Sequence, residues 1–294
     1  MLGLLIPVGP DAREPDRLAD TLDSVRAYEP PEQIHLILVD DYPSPRRLPI
    51  DVREWASVDV VRTPLWRRGT PDPYSAMVAG TLQGLVAAGH HRPELLLKLD
   101  TDALLIAPVA DKLRTLLGDR SIGVVGSYTH TCTGAKRDWS GWRKRLLRAR
   151  LPIAVIPGRR IPGLRSARDG RAVGELLSRA RANGYVWGAH CLGGAYAVGP
   201  ALLERTDLLD WRPWVRTGLG EDVVVGLLAT VAGLRIEGSV GPGEAFGLAW
   251  QNLPLPPEQL LSNRYSVVHS VRDQQYGAET ELRSFFRARR PATG

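Results

Sequence analysis

The chain has 294 residues, 44% hydrophobic and 24% charged, a composition typical of a folded globular protein that excludes a disordered chain. Its two cysteines exclude a disulfide framework or a cysteine-rich metal site, and no apolar run approaches the roughly eighteen residues of a membrane-spanning helix. The net charge of +6 is concentrated, because residues 136–181 carry 14 Lys and Arg against three acids, which argues against the uniformly basic surface of a nucleic-acid-binding protein.

Apolar runs alternate with helical spacing through the first part of the chain. The pattern predicts strands over 2–8, 34–39, 58–61, 95–99 and 122–125, and helices over 13–28, 75–88 and 111–117. The first apolar run ends at Val8 and is too short for a signal peptide, so we expect a cytoplasmic protein. Continuous apolar strands separated by helices indicate an α/β fold, in which helices cover both faces of a mostly parallel sheet.

The second part of the chain is less regular. Basic residues, glycines and prolines interrupt the pattern over 129–182, where short helices are predicted at 142–149 and 172–182. The pattern then predicts a strand at 195–198, a helix from Pro200 to Arg205, a helix over 222–232 and a last strand at 234–236. After Gly241 we expect an irregular tail that ends in an amphipathic helix over 279–289.

Asp100-Thr101-Asp102 directly follows a buried strand and is the sharpest chemical signal. Side chains alternate along a strand, so two acids one residue apart point to the same side. Mg²⁺ typically binds one or two carboxylates plus substrate phosphates, and such a pair suits a metal that neutralises a leaving diphosphate. The alternative is a solvated turn. Lys98, inside the strand, would pair with Asp100 or a phosphate, or extend its ammonium out of the sheet.

Other motifs share this chemistry. Asp40-Asp41 ends a second strand and would accept hydrogen bonds from a nucleobase or ribose, or would form a plain turn. Because ligands of parallel sheets bind beyond the carboxyl ends of the strands, we expect Pro7 and both acidic pairs along one edge. Gly220-Glu221-Asp222 opens an apolar helix, whose dipole stabilises the acids. Asp222 or Glu221 would be a general base, or the motif is simply a good helix start.

These motifs occur in an order that resembles GT-A-fold glycosyltransferases, most closely the broad family 2 type. The order is Pro7, Asp40-Asp41, Asp100-Thr101-Asp102, Gly193-Gly194-Ala195-Tyr196 and Gly220-Glu221-Asp222. The resemblance spans roughly residues 2–236 and leaves the basic segment unmatched. It implies a Rossmann-like α/β fold in one domain, 1–294. We expect it to divide into a nucleotide-sugar-binding half, a basic insert, an acceptor and catalytic half and a tail, over 1–127, 128–184, 185–240 and 241–294.

The resemblance implies an enzyme that transfers a sugar from a nucleoside-diphosphate sugar to an acceptor hydroxyl, with Mn²⁺ or Mg²⁺ as its cofactor. Asp40 or Asp41 would hold the nucleoside. Asp100 would lie near the sugar or the metal, and Asp102 would bind the metal directly. Many members of the fold add a histidine ligand after the last strand, and His269 matches it here, although a lone histidine can equally be a core or surface residue.

The same resemblance assigns the acceptor side. Asp222 would be the catalytic base of an inverting transfer, and Glu221 would orient a hydroxyl. Gly193 and Gly194 would line the sugar and acceptor pocket, where adjacent glycines let the backbone approach a ligand closely. Trp187, close to them in the chain, is the favoured tryptophan for stacking on a sugar, although a tryptophan is more often part of the core.

Two alternative functions, a sugar nucleotidyltransferase and a nucleotide-binding module, predict different sequence features, and the basic insert has several possible roles. A sugar nucleotidyltransferase would carry a Gly-rich, Arg-containing loop after the first strand, of which residues 9–13 are a poor version, and a non-catalytic nucleotide-binding module would be expected to lack one acidic pair. The insert would be a lid over the diphosphate, a clamp on an anionic acceptor or a peripheral contact with an anionic membrane surface. High Arg, Ala and Gly usage suggests a bacterial source.

Overall fold

The structure is a computed structural model that describes residues 1–42, 44, 46–63, 65, 73–152, 165–272 and 275–291. Residues 153–164 of the predicted basic insert lie outside the described residues.

The strands are β1 (Leu2–Val8), β2 (Ile34–Asp40), β3 (Ser57–Arg62), β4 (Leu95–Leu99), β5 (Leu104–Leu105), β6 (Ile122–Gly126), β7 (Ala195–Val198), β8 (Arg235–Gly238), β9 (Phe246–Leu248) and β10 (Val267–His269). The helices are α1 (Glu14–Arg26), α2 (Pro73–His91), α3 (Ala110–Leu117), α4 (Ser140–Arg148), α5 (Ala167–Ala182), α6 (Pro200–Leu203), α7 (Glu221–Val231), α8 (Pro257–Ser262) and α9 (Glu279–Arg287). Among the described helices, none is both long and apolar enough to cross a membrane.

The main sheet has seven strands in the order β3-β2-β1-β4-β7-β6-β8. Within it, β7 runs antiparallel to β4 and β6, and the other neighbours are parallel. Successive strand residues face opposite hydrophobic clusters, as Leu4 and Leu5 illustrate. One cluster packs against α2, α5 and α7, and the other against α1 and α3. The predicted α/β fold, a mostly parallel sheet covered on both faces, is therefore confirmed.

A gap opens in the sheet between the carboxyl ends of β1 and β4. Their pairing stops at Leu5 and Lys98, whereas β1 pairs with β2 as far as Val8 and Asp40. At Pro7, β1 has a neighbour on one side, which suits a residue without a backbone N–H. The chain leaves β1 toward β2 and returns to β4 on the other side, so the strand order reverses at this gap. Sheets of this kind bind ligands at such a point.

The expectation of an irregular tail after Gly241 is wrong. β9 and β10 pair with each other, and β10 also pairs with β5, which makes a second sheet of three strands. These strands have only two or three residues each, too few for an alternating pattern to be recognised in the sequence. The small sheet packs through Leu104 and Val268 against α8 and α9. It brings His269, the last residue of β10, toward the main sheet.

Candidate functional site

Asp100, Asp102 and His269 come together beyond the carboxyl end of β4. One ligand atom from each lies within 4.8 Å of the others. The acids follow β4 in the main sheet, whereas the histidine ends β10 in the small sheet. The side chain of Asp100 is 34% exposed, whereas those of Asp102 and His269 are buried. A substrate phosphate would therefore reach a bound ion from the side of Asp100.

The hydrogen bonds of His269 define which of its nitrogens faces the acids. Its Nδ1–H donates to the carbonyl oxygen of Ala249 at 2.8 Å, since a carbonyl can only accept. Nε2 then presents its lone pair to Oδ1 of Asp102, 3.3 Å away. Histidines that bind metals typically donate the other N–H to a carbonyl or carboxylate in this way. Two carboxylates and this imidazole therefore fit a divalent cation such as Mn²⁺ or Mg²⁺.

Asp102 is held in its ionised form. The hydroxyl of Ser270 donates to Oδ2 at 2.7 Å, and Nε of Arg272 lies 3.4 Å from the same oxygen. Burial opposes the charge, but His269, Arg272 and Ser270 together lower the pKa of Asp102 well below its ordinary value. Burial also opposes protonation of His269, yet the attraction of Asp102 raises the pKa of that imidazole. A positive charge between the two side chains, carried by a proton on Nε2 or by a cation, is therefore favoured.

Lys98 is a buried cation that joins the two acidic motifs. Its Nζ lies 2.6 Å from Oδ1 of Asp100 and 3.3 Å from Oε1 of Glu221, and it also donates to the carbonyl of Gly193. These acceptors match its three N–H donors. Burial disfavours the charge, but Asp100 and Glu221 outweigh it and raise the pKa of Lys98. Of the expected contacts, the structure has the one with Asp100, and the side chain does not extend out of the sheet.

The site holds a surplus of acids. Burial raises the pKa of Asp100 to about 6, with Asp102 and Glu221 adding to the rise and Lys98 opposing it. Burial also raises the pKa of Glu221, and Asp222 adds to that effect while Lys98 again opposes it. Like charges close together in a site of low polarity are unfavourable unless a cation or a proton is added. The surplus therefore favours a bound cation.

Asp222 follows Glu221 in the first turn of α7. Its Oδ1 accepts the backbone N–H of Val223 at 2.8 Å, and its Oδ2 lies 3.5 Å from Nε2 of His190. Burial raises the pKa of Asp222, and the Val223 N–H, Lys98 and a nearby arginine oppose the rise. The side chain keeps 17% of its surface exposed. A partly accessible carboxylate with a raised pKa has the properties that a general base needs.

Arg137 and His190 lie beside Asp222, and no motif in the sequence indicated them. Nη1 of Arg137 donates to the carbonyls of His190, at 2.7 Å, and Ser127, and its Nη2 donates to Nε2 of His190 at 3.1 Å. The Nδ1–H of His190 donates to the carbonyl of Gly188 at 2.5 Å. Burial, with the charge of Arg137, lowers the pKa of His190 to about 4. A neutral imidazole in a fixed orientation therefore lies against the carboxylate.

Gly193 and Gly194 make room for the side chains of the site. A Cβ on Gly194 would overlap the ring of His269, and one on Gly193 would lie 2.9 Å from Oε1 of Glu221 and 3.2 Å from Oδ2 of Asp222. The carbonyl of Gly194 also accepts the backbone N–H of Asp100 at 2.9 Å. Glycine is thus required at both positions because the acids of α7 and the ring of His269 pack directly against the backbone.

Asp40 and Asp41 lie at the same edge of the sheet, at the end of β2. Oδ1 of Asp40 accepts a hydrogen bond from Nε of Arg46 at 3.0 Å, and the carboxylate is buried. Nη2 of Arg46 also donates to the carbonyl of Gly9 at 2.7 Å, which ties the ends of β1 and β2 together. Asp41 is partly exposed. The edge therefore combines an internally paired acid with a more accessible one.

The tryptophans differ in their relation to the acids. Trp187 is half-buried, packs against the core, and has the guanidinium of Arg181 5.7 Å from its ring centroid. The ring of Trp142 lies edge-on to His190 with centroids 5.6 Å apart. Trp250 was not indicated by the sequence pattern, but it is 76% exposed and directly follows Ala249, the hydrogen-bond acceptor of the candidate metal ligand.

Comparison with solved structures identifies the fold. An active-site mutant of LgtC is similar over 96% of this chain and 95% of its own, with a TM-score of 0.51 and 12% identity. The bifunctional glycosyltransferase WbbM matches 99% of this chain and 50% of its own, with a TM-score of 0.50 and 10% identity. A mannosyltransferase from Pyrobaculum calidifontis, in complex with GDP-Man and Mn²⁺, is 19% identical over 82% of this chain and 55% of its own, with a TM-score of 0.40.

The likenesses to LgtC and WbbM show that the chain has the GT-A fold of glycosyltransferases. At these identities they carry the fold alone. The chain spans about half the length of WbbM and of the mannosyltransferase. Neither a protein-family model nor a curated protein sequence matches it. A function for the chain must therefore be argued from its site.

Proposed function

We propose that this GT-A-fold chain is a metal-dependent glycosyltransferase of the family 2 type, which transfers a sugar from a nucleoside-diphosphate sugar to an acceptor hydroxyl. The observation that carries the proposal is the meeting of two acidic motifs with a histidine where the strand order reverses. Lys98 links the two motifs, because its Nζ lies 2.6 Å from Asp100 and 3.3 Å from Glu221, the neighbour of Asp222 in the chain. The chain would be one domain with the four divisions expected from the sequence.

The donor half of the site is formed by the ends of β1, β2 and β4. Asp102 and His269 would hold the cation directly, with Asp100 as a further ligand. When bound, a divalent cation neutralises charge on the departing nucleoside diphosphate. Asp40 and Asp41 would serve the nucleoside. Supporting this division, Arg46 binds Asp40 beside the end of β1, whereas Asp41 is more accessible.

The transfer itself would use Asp222. Its carboxylate accepts the proton of the acceptor hydroxyl while that oxygen forms a bond to the anomeric carbon. The bond from this carbon to the diphosphate oxygen breaks on the opposite face, and the electron pair leaves with the nucleoside diphosphate. One displacement inverts the anomeric centre, by analogy with inverting glycosidases. Glu221, paired with Lys98, would orient a hydroxyl, and Arg137 with His190 would position the base.

A thermal-shift experiment tests the proposal. Mn²⁺ together with a saturating nucleoside diphosphate or nucleotide sugar should raise the melting temperature by about 5 °C, as expected for binding at roughly a hundred times the dissociation constant. Asp102→Ala should lose this shift, whereas Asp222→Asn should retain it and lose sugar transfer. Asp111→Ala, at a side chain 93% exposed on α3, is the matched control and should behave like the natural protein.

Three results would contradict the proposal in different ways. Absence of any shift across the nucleotides would exclude a nucleotide-sugar enzyme. Normal transfer by Asp222→Asn would exclude that residue as the base. Release of pyrophosphate from a nucleoside triphosphate and a sugar phosphate would identify a sugar nucleotidyltransferase instead, and binding of the nucleotide sugar without turnover would leave a nucleotide-binding module.

A further inference from the structure

Helix α4 and the turn after it expose cations and leucines together. Arg143 and Leu147 lie one turn apart on α4, Lys144 and Arg148 lie beside them, and Leu151 follows in the turn. Leu147 is 38% exposed and Leu151 46%, and the three cations are exposed. Residues 139–168 contain nine Lys and Arg and no acid. We call these five residues the α4 face.

The inner side of α4 accounts for its folding, so the exposed leucines are not needed for the core. Leu146 and Ala149 are buried, and the Cβ of Trp142 packs so closely on Gly188 that no side chain would fit there. Arg165 donates to the carbonyl of Ala149 at 2.6 Å and closes the end of the helix. The α4 face is therefore held in place by contacts on the opposite side of the helix.

We propose that the α4 face docks the protein on the surface of an anionic lipid bilayer. Anionic lipid headgroups attract clustered Lys and Arg, and each cation near such a surface strengthens binding about five-fold. Leucines between the cations enter the boundary between headgroups and acyl chains, where they lose contact with water. The cations and the leucines of the α4 face therefore both favour binding to an anionic bilayer.

The same features distinguish a bilayer from a nucleic acid. Proteins that bind single strands place aromatic rings among their cations, on which the bases stack. On α4 the exposed side chain between the cations, Leu147, is aliphatic. The aromatic residue of this helix, Trp142, has its ring against His190 and under the guanidinium of Arg145, 4.9 Å from the ring centroid. The side chain is thus already engaged within the protein.

The position of α4 suggests what the docking serves. The ring of Trp142 contacts His190, whose Nε2 lies 3.5 Å from Asp222, so the helix packs behind the proposed base. A bilayer at the α4 face would be separated from the proposed base by this helix, and we take the acceptor to be a hydroxyl carried by a lipid of that bilayer. This second step rests on the proposed function, whereas the docking does not.

Vesicle co-sedimentation tests the docking with no substrate present. The protein should bind phosphatidylcholine vesicles that contain about 30 mol% phosphatidylglycerol, fail to bind pure phosphatidylcholine, and dissociate at high salt. The double variant Lys144→Gln/Arg148→Gln should bind about 25-fold more weakly. Leu147→Ser/Leu151→Ser should weaken binding roughly ten-fold, because two partly exposed leucines no longer leave water.

Matched controls lie on other parts of the surface. Arg53→Gln/Arg92→Gln removes the same charge from two exposed sites, and Val52→Ser/Val60→Ser removes comparable exposed apolar area. Both should bind vesicles like the natural protein. The docking is wrong if the natural protein does not bind anionic vesicles, if the controls weaken binding as much as the α4 variants, or if single-stranded RNA binds more tightly with the same dependence on α4. Failure of the protein to bind vesicles would leave the nucleotide thermal shift unaffected. Absence of the thermal shift would likewise leave vesicle binding unaffected.

Discussion

Replacing Lys98 by methionine removes the buried charge that joins the two acidic motifs. The side chain is 1% exposed, and its Nζ lies 2.6 Å from Asp100 and 3.3 Å from Glu221. Methionine fills similar space without the ammonium, so the buried Glu221 and the partly exposed Asp100 lose their shared partner. Removing one member of a buried ion pair typically costs about 3–5 kcal/mol, which corresponds to roughly 5–8 °C in melting temperature for a chain of this size.

The destabilisation should depend on pH with a defined sign. Burial already raises the pKa of Asp100 and of Glu221 in the folded protein, and loss of Lys98 removes the charge that opposes both shifts. An acid whose pKa is higher in the folded than in the unfolded state binds more protons when folded, so stability falls as the pH rises between the two values. Lys98→Met should therefore be most destabilised above pH 7 and should recover part of its stability near pH 5.

Urea denaturation followed by circular dichroism, at pH 5 and pH 7.5 without added metal, measures both effects. Lys136→Met, at an exposed lysine, is the matched control and should change the free energy of unfolding by less than about 0.5 kcal/mol. The reasoning fails if Lys98→Met is as stable as the natural protein at pH 7.5. It also fails if the loss of stability is the same at both pH values, because the cost would then come from packing and not from unpaired acids.

Three further predictions concern the site. Gly194→Ala should lower Mn²⁺ affinity at least ten-fold by calorimetry, because its Cβ would displace the ring of His269, whereas Gly141→Ala, which has open space around its Cα, should bind normally. Arg137→Met should lower the rate of sugar transfer ten-fold or more without changing the Mn²⁺-dependent nucleotide shift, because it releases His190 from its orientation; an unchanged rate would refute a positioning role. Chelation with EDTA should abolish the nucleotide shift, and added Mn²⁺ or Mg²⁺ should restore it; a shift that persists in EDTA would mean that binding needs no metal.

Much of the main sheet could be predicted because its signals are local. Uninterrupted apolar runs mark the strands, and acids placed at their ends must gather at one edge when the strands are parallel. Asp40-Asp41 and Asp100–Asp102 were located in this way. The short strands β5, β9 and β10 gave no such signal, since two or three residues cannot display a period. The small sheet that carries His269 was therefore missed, although the histidine itself was indicated by resemblance.

What the sequence by itself determined was the α/β order and the edge at which its acids lie. The tertiary structure decided how those acids are charged and what touches them. Asp102 takes its hydrogen bond from Ser270, 168 residues away, and Arg137 reaches His190 across 53 residues. Protonation, tautomer and pKa depend on burial and on the nearest charges, and both are properties of contacts between distant segments. The pairing of Lys98 with Asp100 could therefore be expected from the sequence, whereas its contacts with Glu221 and Gly193 depend on the folded chain.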